Sequence, residues 1–462
     1  MLTLAYLANQ FPAAVEPYVG EEIAELRRRG VQVITGSVRK SRSARDGFGH
    51  HESTPQIVLM PLQASVLLQA AWLCVRRSKQ ISPLIRRALF QGNEGIATRL
   101  KALLHTWMGA CYAVKLEGRA VEHIHVHHGY FGSWIGMAAS RLLGVGFSLT
   151  LHGSDLLRHG VYLDVKLSNC SFCLTVSEYN RRHILEHYPQ IDLRKILVSR
   201  LGVELGDGAN PSQIVRTGKL ALLAIGRLHA VKDHAFLVRA CAQLKAGGED
   251  FECSIAGEGP ERQNLEALIR KYGLEDRVAL LGHVAREQMD SLFDRADVVA
   301  LTSRSEGMPL VLMEAMARGK IVLAPAITGI PEIVVDGQTG YLFEPGSMGD
   351  FLAKLLSIRS LLAAPRPPAP SSFHSPSWSS TYIRSAARPL DWVRHAAQVQ
   401  VRHNFNRTKN LSAFGDLFIR QVTAQRESFL YENSVLQQVQ LSLQRNRSIP
   451  VRTHAVDAVT GP

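Results

Sequence analysis

Two carboxylates eight positions apart, Glu306 and Glu314, bracket the segment Glu306-Gly307-Met308-Pro309-Leu310-Val311-Leu312-Met313-Glu314. Between them a Gly-x-Pro turn gives way to an apolar run of helix formers. Pro309 fits the first turn of a helix, where its missing N–H costs nothing. Glu306 then falls in the loop before the helix, and Glu314 on its second turn. The exposed N–H groups and positive dipole end of such a helix hold a phosphate. One segment thus offers an acid for a sugar hydroxyl, a phosphate cradle and an acid for a ribose. The ordinary alternative is an amphipathic helix carrying two solvated glutamates.

Other segments carry chemistry of a matching kind. Leu220 to Lys232 is an apolar strand ending at Gly226, followed by two cations, Arg227 and Lys232. Arg227 offers a planar fork and Lys232 a mobile point charge. Ile255-Ala256-Gly257-Glu258-Gly259-Pro260 is a strand ending in a tight turn, and Gly329-Ile330-Pro331-Glu332 is a turn entering a short helix. Leu149 to Asp155 is a strand running into a His152-Gly153-Ser154-Asp155 turn. Asp155 caps the next turn or supports His152. His123-Ile124-His125-Val126-His127-His128 puts three histidines on one side of a strand. Zinc asks for four well-spaced ligands, and no cysteine or carboxylate cluster stands beside them, so no metal site is expected.

In this order the segments resemble the retaining, nucleotide-sugar-dependent glycosyltransferases of family 4, which have the GT-B fold. The resemblance runs from about residue 1 to 350, and more weakly through 391–424. It implies that Arg227 and Lys232 clamp the diphosphate of a donor, where negative charge grows as the glycosidic bond breaks. It implies that Glu306, Gly307 and Met308 lie against the donor sugar, that Leu310 and Val311 present N–H groups to phosphate, and that Glu314 takes both ribose hydroxyls. Gly257 and Gly259 line the donor side. His152 reaches the donor sugar across the cleft, or orients the reacting pair through its carbonyl. His152, Glu306, Arg227 and Lys232 form the expected catalytic set.

On the acceptor side the expected residues are Glu16, His127 and Asp155. The connection Asn9-Gln10-Phe11-Pro12 through Glu16-Pro17-Tyr18-Val19-Gly20-Glu21-Glu22 lacks the glycine-rich loop of many relatives. It resembles instead the subgroup acting in colanic acid, amylovoran and similar exopolysaccharide assembly. The implied protein is a metal-independent, retaining transferase without a cofactor. Its donor is a nucleotide-diphosphate sugar, and its acceptor a lipid-linked or polysaccharide glycan of the cell envelope. Alternatives on the same fold are a soluble glucosyltransferase, a nucleotide-sugar epimerase, or a catalytically silent binding protein.

Such groups need a frame that brings strand ends together. Short apolar strands alternate with helical stretches throughout, which argues for doubly wound parallel sheets. The expected architecture is α/β: two Rossmann-like domains facing across a cleft, with C-terminal helices crossing back to the first. Residues 1–205 form the acceptor-side domain, with a helical insertion at 62–118. A linker at 206–218 leads to the nucleotide-sugar domain, 219–360. A Pro/Ser-rich segment follows at 361–388, then crossover helices at 389–425 and a polar, fraying tail at 426–462. Strands are expected at 2–7, 31–34, 123–127, 147–151 and 172–176, then at 220–225, 251–256, 278–281, 298–301 and 321–324.

Composition bounds the partners. The chain has 462 residues and a net charge of +13. The excess is uneven: residues 1–205 hold 24 Lys/Arg against 15 Asp/Glu, residues 216–350 hold 15 against 19, and residues 351–462 hold 14 against 5. No nucleic-acid motif is present, and the cations are not interleaved with stacking aromatics. No apolar run reaches the ~18–20 residues that span a bilayer. Met1 to Leu7 reads as a strand, not a signal peptide, so the six cysteines are expected as reduced thiols in the cytoplasm. Cys170-x-x-Cys173, without a second pair, reads as core in a strand. Residues 62–118 combine the apolar run Ser65–Val75 with basic residues and two acids, Glu94 and Glu117. That pattern suits helices resting on the anionic inner face of the plasma membrane. The plainer alternative packs their apolar side on the first domain.

Overall fold

The computed structural model describes residues 1–13, 16–40, 55–158, 160–205, 218–364 and 389–447, with side chains to 427. The expected linker (up to 217), the Pro/Ser-rich stretch from 365 to 388 and the tail beyond 447 lie outside these residues. The chain divides into two compact units, Met1–Gly415 and Asp416–Pro462. Over its described residues the second unit is helical.

The first unit contains two parallel sheets. One orders its strands as β3-β2-β1-β4-β5-β6-β7. They are β1 (Thr3–Gln10), β2 (Gln32–Arg39), β3 (Ile57–Val58), β4 (His123–His127), β5 (Gly146–Leu151), β6 (Phe172–Thr175) and β7 (Ile196–Val198). The other runs β10-β9-β8-β11-β12-β13. Its strands are β8 (Leu220–Ile225), β9 (Phe251–Ala256), β10 (Val278–Gly282), β11 (Val298–Ala300), β12 (Ile321–Pro325) and β13 (Tyr341–Phe343). Buried on both faces, such strands read as apolar runs; β8 is Leu-Ala-Leu-Leu-Ala-Ile, with its first five residues buried.

Helices cover the first sheet: α1 (Pro17–Arg28), α2 (Ala64–Arg76), α3 (Ser78–Phe90), α4 (Ile96–Leu116), α5 (Phe131–Leu143), α6 (Ser154–Leu157), α7 (Leu163–Asn169) and α8 (Glu178–His187). Around the second sheet lie α9 (His234–Ala246), α10 (Arg262–Lys271), α11 (Arg286–Arg295), α12 (Leu310–Ala317), α13 (Ile330–Ile333) and α14 (Met348–Ala363). Two more follow, α15 (Pro389–Asn404) and α16 (Arg407–Arg447).

Each sheet has an apolar core, and a third cluster packs Val176 and Val203 with the α12 side of the second sheet. The α4–α5 contact satisfies its polar atoms: buried Trp134 donates its indole N–H to the Thr106 hydroxyl at 2.8 Å, as a buried Trp requires. The chain returns to the first sheet's side at the start of α16. Arg407 pairs with Glu21 at 2.8 Å, Asn410 donates to the Leu201 carbonyl at 3.0 Å, and Arg29 donates to the Ser412 carbonyl at 2.8 Å.

Several sequence-based expectations need correcting. β1 continues to Gln10 and β2 to Arg39, where these two polar residues pair across the ladder. β3, β7 and β13 are two or three residues long, too short to show a period. Pro309 lies outside α12 with extended backbone, φ −72° and ψ 109°, and its carbonyl accepts from the Leu312 N–H at 3.2 Å. Cys170 ends α7 instead of lying in a strand, while Cys173 is in β6. Both are buried free thiols, and burial pushes Cys170 up to about 12. The polar tail continues as helix to Arg447.

Candidate active site

In an open parallel sheet, ligands bind beyond the carboxyl ends of the strands where the strand order reverses. In the second sheet that point lies between β8 and β11. Arg227 and Lys232 follow β8, and Glu306 follows β11. The fold therefore gathers groups 74 positions apart: the Lys232 Nζ donates to Glu306 Oε1 at 2.6 Å. Both side chains are largely shielded, at 18% and 11% exposure. Thr302 ties the same turns by donating its hydroxyl to the carbonyls of Lys232 and Asp233, each at 3.1 Å. Arg227 is exposed and makes no ion pair with a described residue. Against the cost of burial, His128, His127 and, last, the Arg227 charge hold the Glu16 carboxyl low.

Gly257 and Gly259 give the β8 turn its room. A Cβ on Gly257, at φ +147°, would stand 2.0 Å from the Gly226 carbonyl oxygen. The Gly226-Arg227-Leu228 backbone thus lies directly against the β9 turn, with Leu228 N–H donating to the Glu258 carbonyl at 2.9 Å.

Glu314 sits apart from the Lys232–Glu306 pair. With Leu310, Arg286, Arg318 and His283 it lines a cavity of about 650 Å³, whose far wall includes Tyr18 and Glu22 of α1. Burial raises its carboxyl, opposed by Arg318 and Arg286. The first-turn N–H groups of α12, including those of Leu310 and Val311, have no carbonyl within the helix to bond. Met308 is different from expectation: its side chain is buried in the core beneath α12. Only its backbone can meet a ligand.

The first sheet contributes from the ends of β4 and β5. His123 and His125 are buried and bonded to Ser148 and Thr150 at 2.7–3.0 Å. They hold strands together and do not reach the cleft. His127 does, through a chain of contacts. Its Nε2 is 2.7 Å from Glu22 Oε2, which also accepts from the Tyr6 hydroxyl. Its Nδ1 is 3.1 Å from His152 Nε2. With the carboxylate as acceptor, the network assigns a proton to His127 Nε2 and leaves Nδ1 to accept from His152. Burial, with His128 beside it, keeps His152 well below the usual histidine range. Tyr18 packs on the His152 ring at 4.7 Å between centroids. The part of His152 nearest the second sheet is its carbonyl, which accepts from Asn180 at 2.7 Å and abuts Gly307.

Asp155 anchors this turn, accepting from the N–H groups of Gly153 at 2.8 Å, Gly129 at 2.9 Å and His152 at 3.1 Å. His128 stands between Asp155 at 3.6 Å and Glu16 at 3.0 Å. Burial pulls His128 down, but the two carboxylates prevail and lift it to about 10. Lys166, fully enclosed, donates to the carbonyls of Gly129 at 2.6 Å, Val161 at 2.8 Å and Tyr130 at 3.2 Å. Burial lowers it to about 7. Tyr6, Glu22 and Lys166 were not legible as site residues, because each acquires its role from partners on distant elements. Among the described residues, no group of three or more His, Cys, Asp or Glu is arranged to hold a metal ion.

The His128 cluster has a pH signature. A folded value of about 10 lies above the ordinary ~6.5. Its stabilisation is therefore complete below about pH 6.5 and disappears as pH rises through 10. His128→Gln should cost roughly 3–5 kcal/mol near neutrality, as when a buried pair loses one partner. Thermal melts should show the gap from wild type closing between pH 7 and 10. An unchanged gap across that range would mean that His128 is neutral.

Glu332 joins the two sheets' domains. Its carboxylate accepts from the N–H groups of Tyr179 at 2.7 Å and Glu178 at 3.1 Å. It thereby caps the N-terminus of α8, a favourable place for negative charge.

Residues 210–363 match the family described as "Glycosyl transferases group 1". The chain carries a group 1 glycosyl transferase domain. Arg227, Lys232, Glu306 and Glu314 all lie within it. The chain is 35% identical over 167 residues to the "Putative colanic acid biosynthesis glycosyltransferase WcaL" of Salmonella typhimurium, covering 35% of this chain and 41% of that one. That is less than half the length of this relative. It is 26% identical over 376 residues to the "Amylovoran biosynthesis glycosyltransferase AmsK" of Erwinia amylovora, covering 77% of this chain and 90% of the relative. The solved structure of Anabaena HepE in complex with UDP superposes with a TM-score of 0.63 at 17% identity, covering 91% of this chain and all of that one. The fold is thus the two-domain GT-B arrangement, and the chain is similar to glycosyltransferases named for colanic acid and amylovoran biosynthesis.

Proposed function

We propose that this chain is a retaining, metal-independent glycosyltransferase. It moves a sugar from a nucleotide-diphosphate sugar to a lipid-linked or cell-envelope glycan. The observation that carries the reading is the convergence of Arg227, Lys232 and Glu306 at the strand-order reversal of the second sheet, opposite His152. Arg227 and Lys232 neutralise the departing diphosphate. Glu306 holds hydroxyls of the donor sugar, and Glu314 the ribose diol. The N–H groups of Leu310 and Val311 take phosphate oxygens. The colanic acid and amylovoran relatives support an exopolysaccharide acceptor, and the UDP bound to HepE supports a nucleotide donor.

Glu306, paired at 2.6 Å with Lys232, is a poor nucleophile, which argues against a double displacement through it. In the retaining reading the acceptor hydroxyl approaches on the face that the diphosphate leaves, and a departing phosphate oxygen takes its proton. Incubating the protein with UDP-, GDP- and ADP-sugars and a lipid-linked glycan extract should release nucleoside diphosphate with one donor. Release should persist in EDTA, and NMR should show the donor's anomeric configuration in the product. An inverted linkage would refute retention. Loss in EDTA that only a divalent cation restores would refute metal independence. No release with any donor would favour a silent binding protein.

A further inference from the structure

We propose that the outer face of α2–α4 docks on an anionic lipid bilayer, with Phe90 and Ile96 as the inserting tip. Sixteen large hydrophobic side chains are exposed among the described residues, and eight of them fall between Leu68 and Leu104. Scattered exposed hydrophobics are ordinary, whereas a concentration marks an interaction surface. The spacing is helical: Leu68, Trp72 and Val75 share one side of α2, and Ile96, Leu100 and Leu104 one side of α4. Core packing does not account for them. On α2 the inward positions are already filled by Val66, Ala70 and Leu73, and the outer stripe remains over.

The tip is built for a dry environment. Phe90 ends α3 and Ile96 starts α4, and they are 77% and 78% exposed. Arg99 spans the turn between them, donating to the carbonyls of Gly92 at 2.5 Å, Leu89 at 2.6 Å and Glu94 at 2.8 Å. Arg87 donates to the Gln91 carbonyl at 2.7 Å. Backbone acceptors that enter lipid unsatisfied are costly, and here two arginines satisfy four of them. These two cations are therefore spent inside the protein. Glu94, the one acid in 64–116, is neutralised by Arg87 at 2.8 Å.

Arg76, Arg77, Lys79, Arg86 and Lys101 remain, with no ion pair to a described residue. The Arg76 guanidinium lies over the Trp72 ring at 5.0 Å. An amphipathic aromatic beside a cation suits the headgroup layer. The charge also decides the occupant. A second copy meeting this face would bring the same cations against it, which repel, whereas anionic headgroups attract them. No helix among the described residues is long and apolar enough to cross a membrane, so contact would be interfacial.

Flotation of the full chain with phosphatidylcholine vesicles, with and without phosphatidylglycerol, tests this. The protein should float with the anionic vesicles at low salt and less at high salt. The double variant Phe90→Ser/Ile96→Ser should lower the bound fraction about tenfold without changing the melting temperature or nucleoside-diphosphate release. Arg76→Ser/Lys79→Ser/Arg86→Ser should abolish the preference for phosphatidylglycerol. Absence of binding to anionic vesicles at low salt would overturn the proposal. So would a dimer in sedimentation that the Phe90→Ser/Ile96→Ser change dissociates. Because release is read separately, failure here is distinct from failure of the transferase reading.

Discussion

Lys232→Ala is expected to slow sugar transfer roughly 10²–10³-fold, the loss that follows removal of one preorganised group facing developing charge. Lys232 also neutralises Glu306 at 2.6 Å, so its removal leaves a shielded carboxylate unpaired and should lower the melting temperature. Arg227→Ala should cost a similar factor in rate with the melting temperature unchanged, since Arg227 is exposed. The two effects at Lys232 separate in a second variant. Lys232→Ala/Glu306→Gln should recover stability, because the stranded charge is gone, and should stay slow. Stopped assays of nucleoside-diphosphate release, alongside thermal melts, read both quantities. Near-normal turnover in a folded Arg227→Ala/Lys232→Ala protein would end the diphosphate-clamp assignment.

What the sequence made legible follows from how local each signal is. The buried strands β8 and β12 are continuous apolar runs, and each stands out within its own few residues. Cations after β8 and an acid after β11 are also local, and parallel topology alone brings those two turns together. Edge strands such as β3 and β13 pair over two or three residues and have no period to detect. Glu22 lies inside α1 and carries no local signal. Its partners Tyr6 and His127 lie 16 and 105 positions away, so only the folded chain shows it holding His127. Lys166 has no local signal either, because the three carbonyls that enclose it come from other segments or from turns. Alternate spacing puts His123, His125 and His127 on one side of β4. His123 and His125 there meet the hydroxyls of β5, and His127, at the strand's end, meets His152.

Gly307→Ala is expected to lower kcat about 10²-fold, the cost of displacing reacting groups by about 1 Å, with donor KM and melting temperature nearly unchanged. A Cβ at this position would stand 2.0 Å from the His152 carbonyl oxygen, where real contacts stay beyond 3.0 Å. The neighbours cannot yield locally. The Glu306 carbonyl is held by the Thr328 hydroxyl at 2.5 Å, the His152 carbonyl by Asn180 at 2.7 Å, and the His152 N–H by Asp155 at 3.1 Å. Relief must come from parting the two domains. The two sheets keep separate main cores, and only Val176 and Val203 of the first half are buried in the third cluster, so stability should survive, and Glu314 with the α12 N-terminus should still bind donor. What is lost is the approach of the His152 turn to the sugar-side loop. Gly153→Ala, whose Cβ would meet the Gly307 nitrogen at 2.9 Å, should act in the same direction and more weakly. A Gly307→Ala enzyme with full kcat would show that chemistry proceeds with the domains apart, and would remove His152 from the donor sugar's contacts.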